Sequence, residues 1–426
     1  MKDSTGHTLS GANARGLDLL ERGMHEYRCL MLDPVASVDA ALAAAPELVM
    51  AHVLRGWLYV LSTEAAAMPV VRDAIDTARA LPHDAREARH LAALEQVWAR
   101  QWRAAGRTLE DLSIEHPRDA LALQAGHQID FFTGDARMLQ GRIARALPAW
   151  SPALPGYHAV CGMYAFGLEE CGDYANAERF GRSAVEREPH DAWAQHAVAH
   201  VCEMQGRRED GIRWMRGNAG WQQDSLLGVH NWWHLALYHL EQGDTAAVLE
   251  LLDGPIDGHR STVHLDLLDV SSMLWRLQLR GIDVGTRWQT VAERWAPSAA
   301  SGHYAFNDMH AAMAFACTGR DDLVREVLDA QAEAMRRNDD NAMFTREVGA
   351  RATQALVAFV AGQYRQAADL LRGVRNHAHR FGGSHAQRDL IDQTLIAAAQ
   401  RGGQHALAKA LQTEREAAAL QRHAAG

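Results

Sequence analysis

The recurrence of turn-forming glycines about every 34 residues constrains this chain more than any other feature of its sequence. The spacing is 34 residues from Gly172 to Gly206, 37 from Gly206 to Gly243, and 38 from Gly243 to Gly281 and again from Gly281 to Gly319. A unit of this length holds one helix, a short turn and a second helix. Because a single unit cannot bury its apolar face alone, the spacing predicts a stack of successive helix pairs.

The composition supports helices throughout. Only 11 prolines interrupt the 426 residues, and the chain is rich in good helix formers. Apolar residues recur at helical spacing, as in Leu91, Leu94, Val97 and Trp98, whereas alternating β-branched runs are missing. The fold class predicted is all-α, a tetratricopeptide-type α-solenoid of about ten to twelve helix pairs. Its repeats are irregular, and it is expected to curl around a central groove.

The expected organisation has three parts. Residues 1–85 form an N-terminal helical cap, 86–403 a tetratricopeptide-like array, and 404–426 a capping helix, because a terminal repeat needs a polar outer face. The clearest copy covers 158–191 and ends in Glu-Pro. The longer spacing after it indicates an insertion at 218–224.

The net charge and the cysteines limit the kinds of partner and the cellular location to be expected. The formal net charge is −10, which argues against nucleic acid or an anionic membrane as the main partner. The five cysteines include no C-x-x-C pair, as expected for reduced thiols. The start, MKDSTGHTLSG, has no apolar run typical of a signal peptide, and no stretch has the length of a membrane helix. A cytoplasmic location is therefore expected.

Six segments, in order, resemble one known family. They are AFGLEECGDY at 165–174, DAWAQHAVAHV at 191–201, HNWWHLAL at 230–237, LWRL at 274–277, FNDMH at 306–310 and GGSHAQRD at 382–389. The chain resembles the tetratricopeptide repeat protein 38-like family from about residue 14 to about residue 412. The resemblance implies a helical solenoid with a groove, and it implies no particular reaction.

The histidines form the most informative pattern among the polar residues. His196 and His200 are four residues apart, as are His230 and His234, and the two pairs are 34 residues apart. Residues four apart share one helix face. With two glutamates that are also 34 apart, they predict a ligand-binding set on one groove: Glu169, His196, His200, Glu203, His230 and His234. When positions are counted from the glycine turn that follows each pair, His230 and His234 fall at different positions of the repeat from His196 and His200. The insertion at 218–224 decides which count applies to the second pair.

Three interpretations of this set stay open. The four histidines could hold a divalent metal such as Zn, Fe or Mn, which would support hydrolysis, although H-E-x-x-H is absent. The groove could instead bind a small molecule or peptide without metal, or the histidines could be structural. Ligand binding in a His/Glu/Trp-lined concave pocket is the function predicted. A metal-dependent hydrolase and a protein–protein interaction scaffold are the alternatives, and whether the chain is an enzyme is left open.

Further residues are candidates for the same pocket. Trp233 lies beside the second histidine pair, and His310 follows Phe306 by one helical turn, which fits either groove or core. In the loop at 382–389, Ser384, His385 and Arg388 could hold a carboxylate or phosphate at a helix N-terminus. The competing interpretation is a plain turn in which Ser384 caps the next helix. No P-loop or dinucleotide fingerprint is found.

Overall fold

The computed structural model describes residues 1–424, and it confirms the all-α prediction. The first helices are α1 Ala14–Cys29, α2 Pro34–Ala44, α3 Val49–Val60, α4 Met68–Ala80, α5 Ala85–Trp98, α6 Trp102–Glu115, α7 Ala120–Phe132, α8 Ala136–Ala146, α9 Tyr157–Glu170, α10 Tyr174–Arg187, α11 Ala192–Met204 and α12 Arg208–Gly217. The others are α13 Gly228–Glu241, α14 Thr245–Leu251, α15 His264–Leu279, α16 Arg287–Trp295, α17 Ala305–Cys317, α18 Asp321–Ala334, α19 Asp340–Phe344, α20 Ala350–Val360, α21 Tyr364–Arg372, α22 His385–Arg401 and α23 His405–Ala424. Within the described part, no helix is long and apolar enough to cross a membrane.

The predicted turns are confirmed, and their chemistry explains the glycine period. Gly172 and Gly243 end their helices with φ of 85° and 77°, in the left-handed region that favours glycine. The next residue in each case is an aspartate, Asp173 or Asp244. Its side chain accepts a hydrogen bond from the backbone N–H three residues further on and so caps the second helix. The other predicted turn glycines, Gly206, Gly281 and Gly319, also have positive φ, as does Gly362 at a later turn. The chain is therefore a tetratricopeptide-like array of helix pairs.

The chain divides into two compact units that are described separately. The first unit consists of Met1–Phe131, Asp135–Cys202 and Glu209–Asn231; the second consists of Phe132–Gly134, Glu203–Arg208 and the chain from Trp232 onwards. The boundaries predicted near residues 86 and 404 mark the ends of the repeat array, and they stay predictions. The predicted insertion at 218–224 lies in the loop between α12 and α13.

Small residues let the helices of the first unit approach closely around α9. A Cβ added to Gly167 would lie 2.6 Å from the backbone nitrogen of Gln140 on α8, and one added to Gly162 would lie 3.0 Å from the Cβ of Ala194 on α11. Phe166 fills the space between these helices and is fully buried. Helix α9 is thus held against both α8 and α11, which fixes the side chains that these helices present.

Two aspartates in the first unit tie consecutive repeats together. Asp119 caps α7 through Oδ1, while its Oδ2 accepts hydrogen bonds from Arg86 Nη1 at 2.7 Å and His90 Nε2 at 2.9 Å. Asp191 caps α11 in the same way, and its Oδ2 lies 2.7 Å from Nδ1 of His158. Each aspartate therefore joins the start of one helix to a side chain of an earlier helix, and both are almost fully buried.

The second unit has its own apolar core, built from pairs such as α17–α18, α20–α21 and α22–α23. Two of its buried tryptophans donate hydrogen bonds to hydroxyl groups, as buried indoles often do. Trp275 donates to Thr394 Oγ1 at 2.9 Å, and Trp295 donates to Ser271 Oγ at 3.0 Å. Both tryptophans are buried in this core.

Candidate functional site

Three of the predicted histidines come together in the first unit. His196 and His200 lie one turn apart on α11, and His230 lies in the first turn of α13, directly after the loop that holds the insertion. The first two are buried and His230 is half-buried. The sequence identified these three residues, and the structure places their rings side by side.

The three imidazoles meet through the same ring atom. Nε2 of His196 lies 2.8 Å from Nε2 of His200 and 3.0 Å from Nε2 of His230. A ring nitrogen of neutral histidine carries one hydrogen or one in-plane lone pair, so His196 Nε2 can make one well-directed hydrogen bond and not two. Three nitrogens converging on one point are instead the arrangement found around a bound cation.

Aromatic rings and a buried carboxylate surround the three imidazoles. Phe166 stacks on His196 with ring centroids 5.4 Å apart, and Trp193 lies 4.9 Å from the same ring. Behind His200, an oxygen of Glu169 lies 3.9 Å from Nδ1. A turn of the His200 ring that shortened this distance would let Glu169 accept from Nδ1 and would leave the Nε2 lone pair for a cation. Glu169 was predicted, whereas the role of Phe166 was missed because an apolar helical residue carries no signal of its own.

A fourth histidine, which is buried, borders the same aromatic rings without joining the cluster. His127 packs edge-on against Trp193 at 5.7 Å and against Phe166 at 6.0 Å. Burial, together with the charge of Arg142, lowers the pKa of His127 to about 3. The cavity that His127 and Trp193 line has room for about one water molecule, so this part of the site does not fit an organic ligand.

The other members of the predicted set belong to the second unit. There Nδ1 of His234 lies 2.9 Å from Oε2 of Glu203. Burial raises the pKa of Glu203 to about 8, and the guanidinium of Arg276 offsets only part of this rise. Arg276 is itself fully buried, lies over the ring of Trp233 at 5.3 Å and donates to the carbonyl of Ala386 at 2.6 Å. Sequence reasoning missed Arg276 as a partner of this group.

Glu203→Gln is expected to make the protein progressively more heat-stable than wild type as pH rises from about 5 to about 8. A carboxyl whose folded pKa lies near 8 keeps its proton in the folded state, whereas the unfolded chain releases it above about pH 4.3. Folding stability is therefore fully present below the unfolded pKa and falls as pH approaches the folded pKa. Glutamine does not titrate, so it removes this loss.

The measurement is the melting temperature of both proteins by circular dichroism across that pH range. Glu186→Gln, at an exposed position of the first unit, is the matched control for the loss of one glutamate carboxyl. A Glu203→Gln difference from wild type that does not change with pH would contradict the raised pKa of Glu203.

The remaining predicted residues lie in the second unit. His310 donates from Nδ1 to the carbonyl of Phe306 at 2.9 Å, and burial lowers its pKa to about 4. Ser384 caps α22 in a capping box with Gln387, as the turn interpretation predicted. Arg388 donates to the carbonyl of Gly383, one residue before this cap. His385 is half-buried in the first turn of α22, and Trp233 is fully buried.

Comparison with known proteins does not identify a family for this chain. No family model matches the chain. Among solved structures, the crystal structure at 2.5 Å of the P58(IPK) TPR domain is similar, at 14% sequence identity and with a TM-score of 0.20. The match covers 92% of this chain and 99% of that chain. The assignment to tetratricopeptide-like repeats rests on the helix pairs and glycine turns of the present chain.

Proposed function

We propose that this helical-repeat protein binds a divalent transition metal, zinc before others, through the Nε2 atoms of His196, His200 and His230. The observation that supports the proposal is the convergence of three Nε2 atoms, with separations of 2.8 and 3.0 Å from the central one. Imidazole nitrogen suits zinc, copper, iron and nickel better than magnesium, calcium or manganese. His234 is left out of the set because it belongs to the second unit, where it pairs with Glu203.

The distances in the cluster are close to those that a metal needs. Two nitrogens bound to tetrahedral zinc at its usual bond length lie about 3.4 Å apart. The Nε2 atoms are a few tenths of an ångström closer together than this. Small side-chain rotations of His200 and His230, away from His196, therefore suffice to admit the ion. Glu169 behind His200 would orient that ligand, as carboxylates do in many zinc sites.

Three protein ligands leave one position of a tetrahedral ion open. Metal sites of this kind bind water or an oxygen of a substrate in that position, and they can polarise a carbonyl or lower the pKa of bound water. The proposal therefore joins the two leading predictions from the sequence, since a small molecule or peptide would reach the site as the fourth ligand of the metal. Hydrolysis is the reaction class that such an ion would support.

The test is the zinc content and zinc affinity of the untagged protein, measured by plasma mass spectrometry and by titration against a chelating dye. Replacing His196 and His200 with Gln is expected to remove one equivalent of zinc and to raise the Kd of that site at least about 100-fold, since loss of orienting groups alone costs 10–100-fold. Glutamine keeps a polar side chain and the helix, so the loss reports on the imidazole nitrogen.

His127→Gln is the matched control, because His127 is buried against the same two aromatic rings but lies outside the cluster. It should bind as much zinc as wild type. Equal zinc uptake by wild type and by the double variant would overturn the proposal, and a metal-free pocket for an organic ligand would then be the better interpretation. Membership of the tetratricopeptide repeat protein 38-like family and a cytoplasmic location are further parts of this proposal.

A further inference from the structure

A second group of metal-ligating side chains lies elsewhere in the first unit. His25 and Cys29 are one turn apart near the end of α1, His158 is in the first turn of α9, and Glu188 directly follows α10. One ligand atom of each lies within 4.8 Å of the others. Three separate segments of the chain thus bring two imidazoles, one thiol and one carboxylate to one place.

The distances between these four side chains are close to those between ligands of a single zinc ion, so small side-chain movements would bring them around one. Sγ of Cys29 lies 3.9 Å from Nδ1 of His25, and a sulfur and a nitrogen bound to the same tetrahedral zinc lie about 3.6 Å apart. Nε2, the other ring nitrogen of His25, lies 4.0 Å from Oε2 of Glu188. Since an imidazole gives one ion only one of its nitrogens, the ring would turn to bring the nitrogen nearer Cys29 within reach of the same ion as Glu188. The side chain of His25 is 45% exposed, which gives it the freedom to turn and gives an ion a route from solvent.

The two other ligands are already oriented by neighbouring groups. Nδ1 of His158 lies 2.7 Å from Oδ2 of Asp191, a contact in which the nitrogen donates, so Nε2 keeps a lone pair for a metal. Carboxylate–histidine pairs of this kind orient ligands in zinc sites. Oε1 of Glu188 accepts from the backbone and the ring of His190, at 3.2 and 3.0 Å, while Oε2 is the oxygen that approaches His25.

The local charges also suit a divalent cation. The carboxylates of Asp191 and Glu188 lie near the Cys29 thiol, and Arg28 carries the opposite charge. A divalent ion would displace the thiol proton to solvent, and the thiolate and two carboxylates would then be balanced by the ion and Arg28.

We propose that Cys29, His25, His158 and Glu188 form a closed, structural zinc site that fastens α1 to α9 and to the end of α10. The mixed thiolate, imidazole and carboxylate ligand set is one that zinc accepts, and four protein ligands characterise structural sites. The site is independent of the three-histidine cluster proposed above, because the two share no residue. Binding at this site would also add to the stability of the first unit, since the unfolded chain has no preformed site.

The test is cobalt titration of the apoprotein, because cobalt replaces zinc and reports on a bound thiolate by charge-transfer absorption in the near ultraviolet. In wild type the intensity of this band should correspond to one cobalt ion bound at Cys29 in each protein molecule. The Cys29→Ser variant should lose the band. Cys161→Ser is the matched control: Cys161 is another buried thiol, in the next turn of α9 after His158, and lies outside the group. It should keep the band.

Two more variants keep the test decisive if Cys29→Ser folds poorly. His25→Ala, at a partly exposed position, should weaken cobalt binding at this site at least about tenfold, with an unchanged circular dichroism spectrum. The His196 and His200 double variant should keep the full band, because its site contains no thiolate. Absence of the band in wild type, or its persistence in Cys29→Ser, would show that the group is not a metal site, whatever the outcome at the three histidines.

Discussion

Asp119→Ala is expected to lower the free energy of unfolding of the first unit by about 3–5 kcal/mol, because it leaves a buried cation without its partner. Asp119 is 2% exposed and Arg86 is 5% exposed. The carboxylate accepts from Arg86, from His90 and from the backbone at the start of α7. These contacts, with burial opposing them, hold the pKa of Asp119 well below its usual range.

Asp135→Ala is the control variant, because it removes a helix cap without leaving a buried charge unpaired. Asp135 caps α8 by accepting from the amide of Met138 at 3.1 Å, but its side chain is exposed. Loss of a cap alone costs about 1 kcal/mol. Urea unfolding followed by circular dichroism should therefore show a much larger midpoint shift for Asp119→Ala than for Asp135→Ala. Equal shifts would mean that Arg86 and His90 find other partners.

The contribution of Asp119 to the free energy of unfolding should also depend on pH in a defined direction. A carboxylate whose folded pKa is lowered contributes stability that is present above its unfolded pKa, near 3.9, and lost as pH falls towards the folded pKa. The difference between wild type and Asp119→Ala should thus be constant near neutrality and shrink below about pH 4. Asp119→Asn, which keeps the capping oxygen, should lie between the two.

The helix pairs could be predicted because their signal is local. A glycine that adopts positive φ and an aspartate that caps the next helix are neighbours in sequence, as at Gly172 and Asp173. Their spacing then reports the repeat length without any knowledge of packing. The same holds for His196 and His200, whose common helix face follows from a separation of four residues.

The hydrogen-bonding partners of the two histidines on α13 could not be predicted from their spacing. His230 and His234 are equivalent by spacing, yet His230 meets His196 whereas His234 pairs with Glu203 in the second unit. The two share one helix face, so the choice depends on how far α13 is shifted along its axis after the loop at 218–227. Loop paths are set by tertiary contacts, such as the hydrogen bond from Asn218 to the carbonyl of Pro189, that periodicity does not contain.

The group around Cys29 was missed for a related reason. Its ligands lie as far apart as residues 25 and 188, and only two of them, His25 and Cys29, share a helix. A cysteine without a C-x-x-C neighbour gives no metal signature in sequence. Asp191 also appears in sequence as an ordinary helix cap, and only the folded chain reveals its second contact, with His158.

Arg142→Met is expected to destabilise the first unit by about 3–5 kcal/mol, because it leaves a buried carboxylate without its cation. Arg142 is 1% exposed, and it donates to both oxygens of Asp130 at 2.8 and 2.9 Å and to the carbonyl of Gly106 at 3.1 Å. These contacts join α6, α7 and α8. Burial raises the pKa of Asp130 to about 6 even beside this guanidinium.

The destabilisation by Arg142→Met should therefore grow with pH. Without Arg142, Asp130 loses the group that favours its charged form, so its folded pKa rises further. A carboxyl with a raised folded pKa loses stability as pH rises above the unfolded value, near 3.9. Urea midpoints of the variant and wild type should be closest at about pH 4 and furthest apart above pH 7.

Adding Asp130→Leu to Arg142→Met should restore most of the lost stability, because replacing a whole buried ion pair with apolar side chains is often neutral or stabilising. The recovery would show that the single variant is unstable because a charge is stranded between α7 and α8, and not because the arginine stem fills space. A double variant as unstable as Arg142→Met would contradict this account. The hydrogen bond from Arg142 to Gly106, and the packing of its stem between the helices, would then be the dominant contribution.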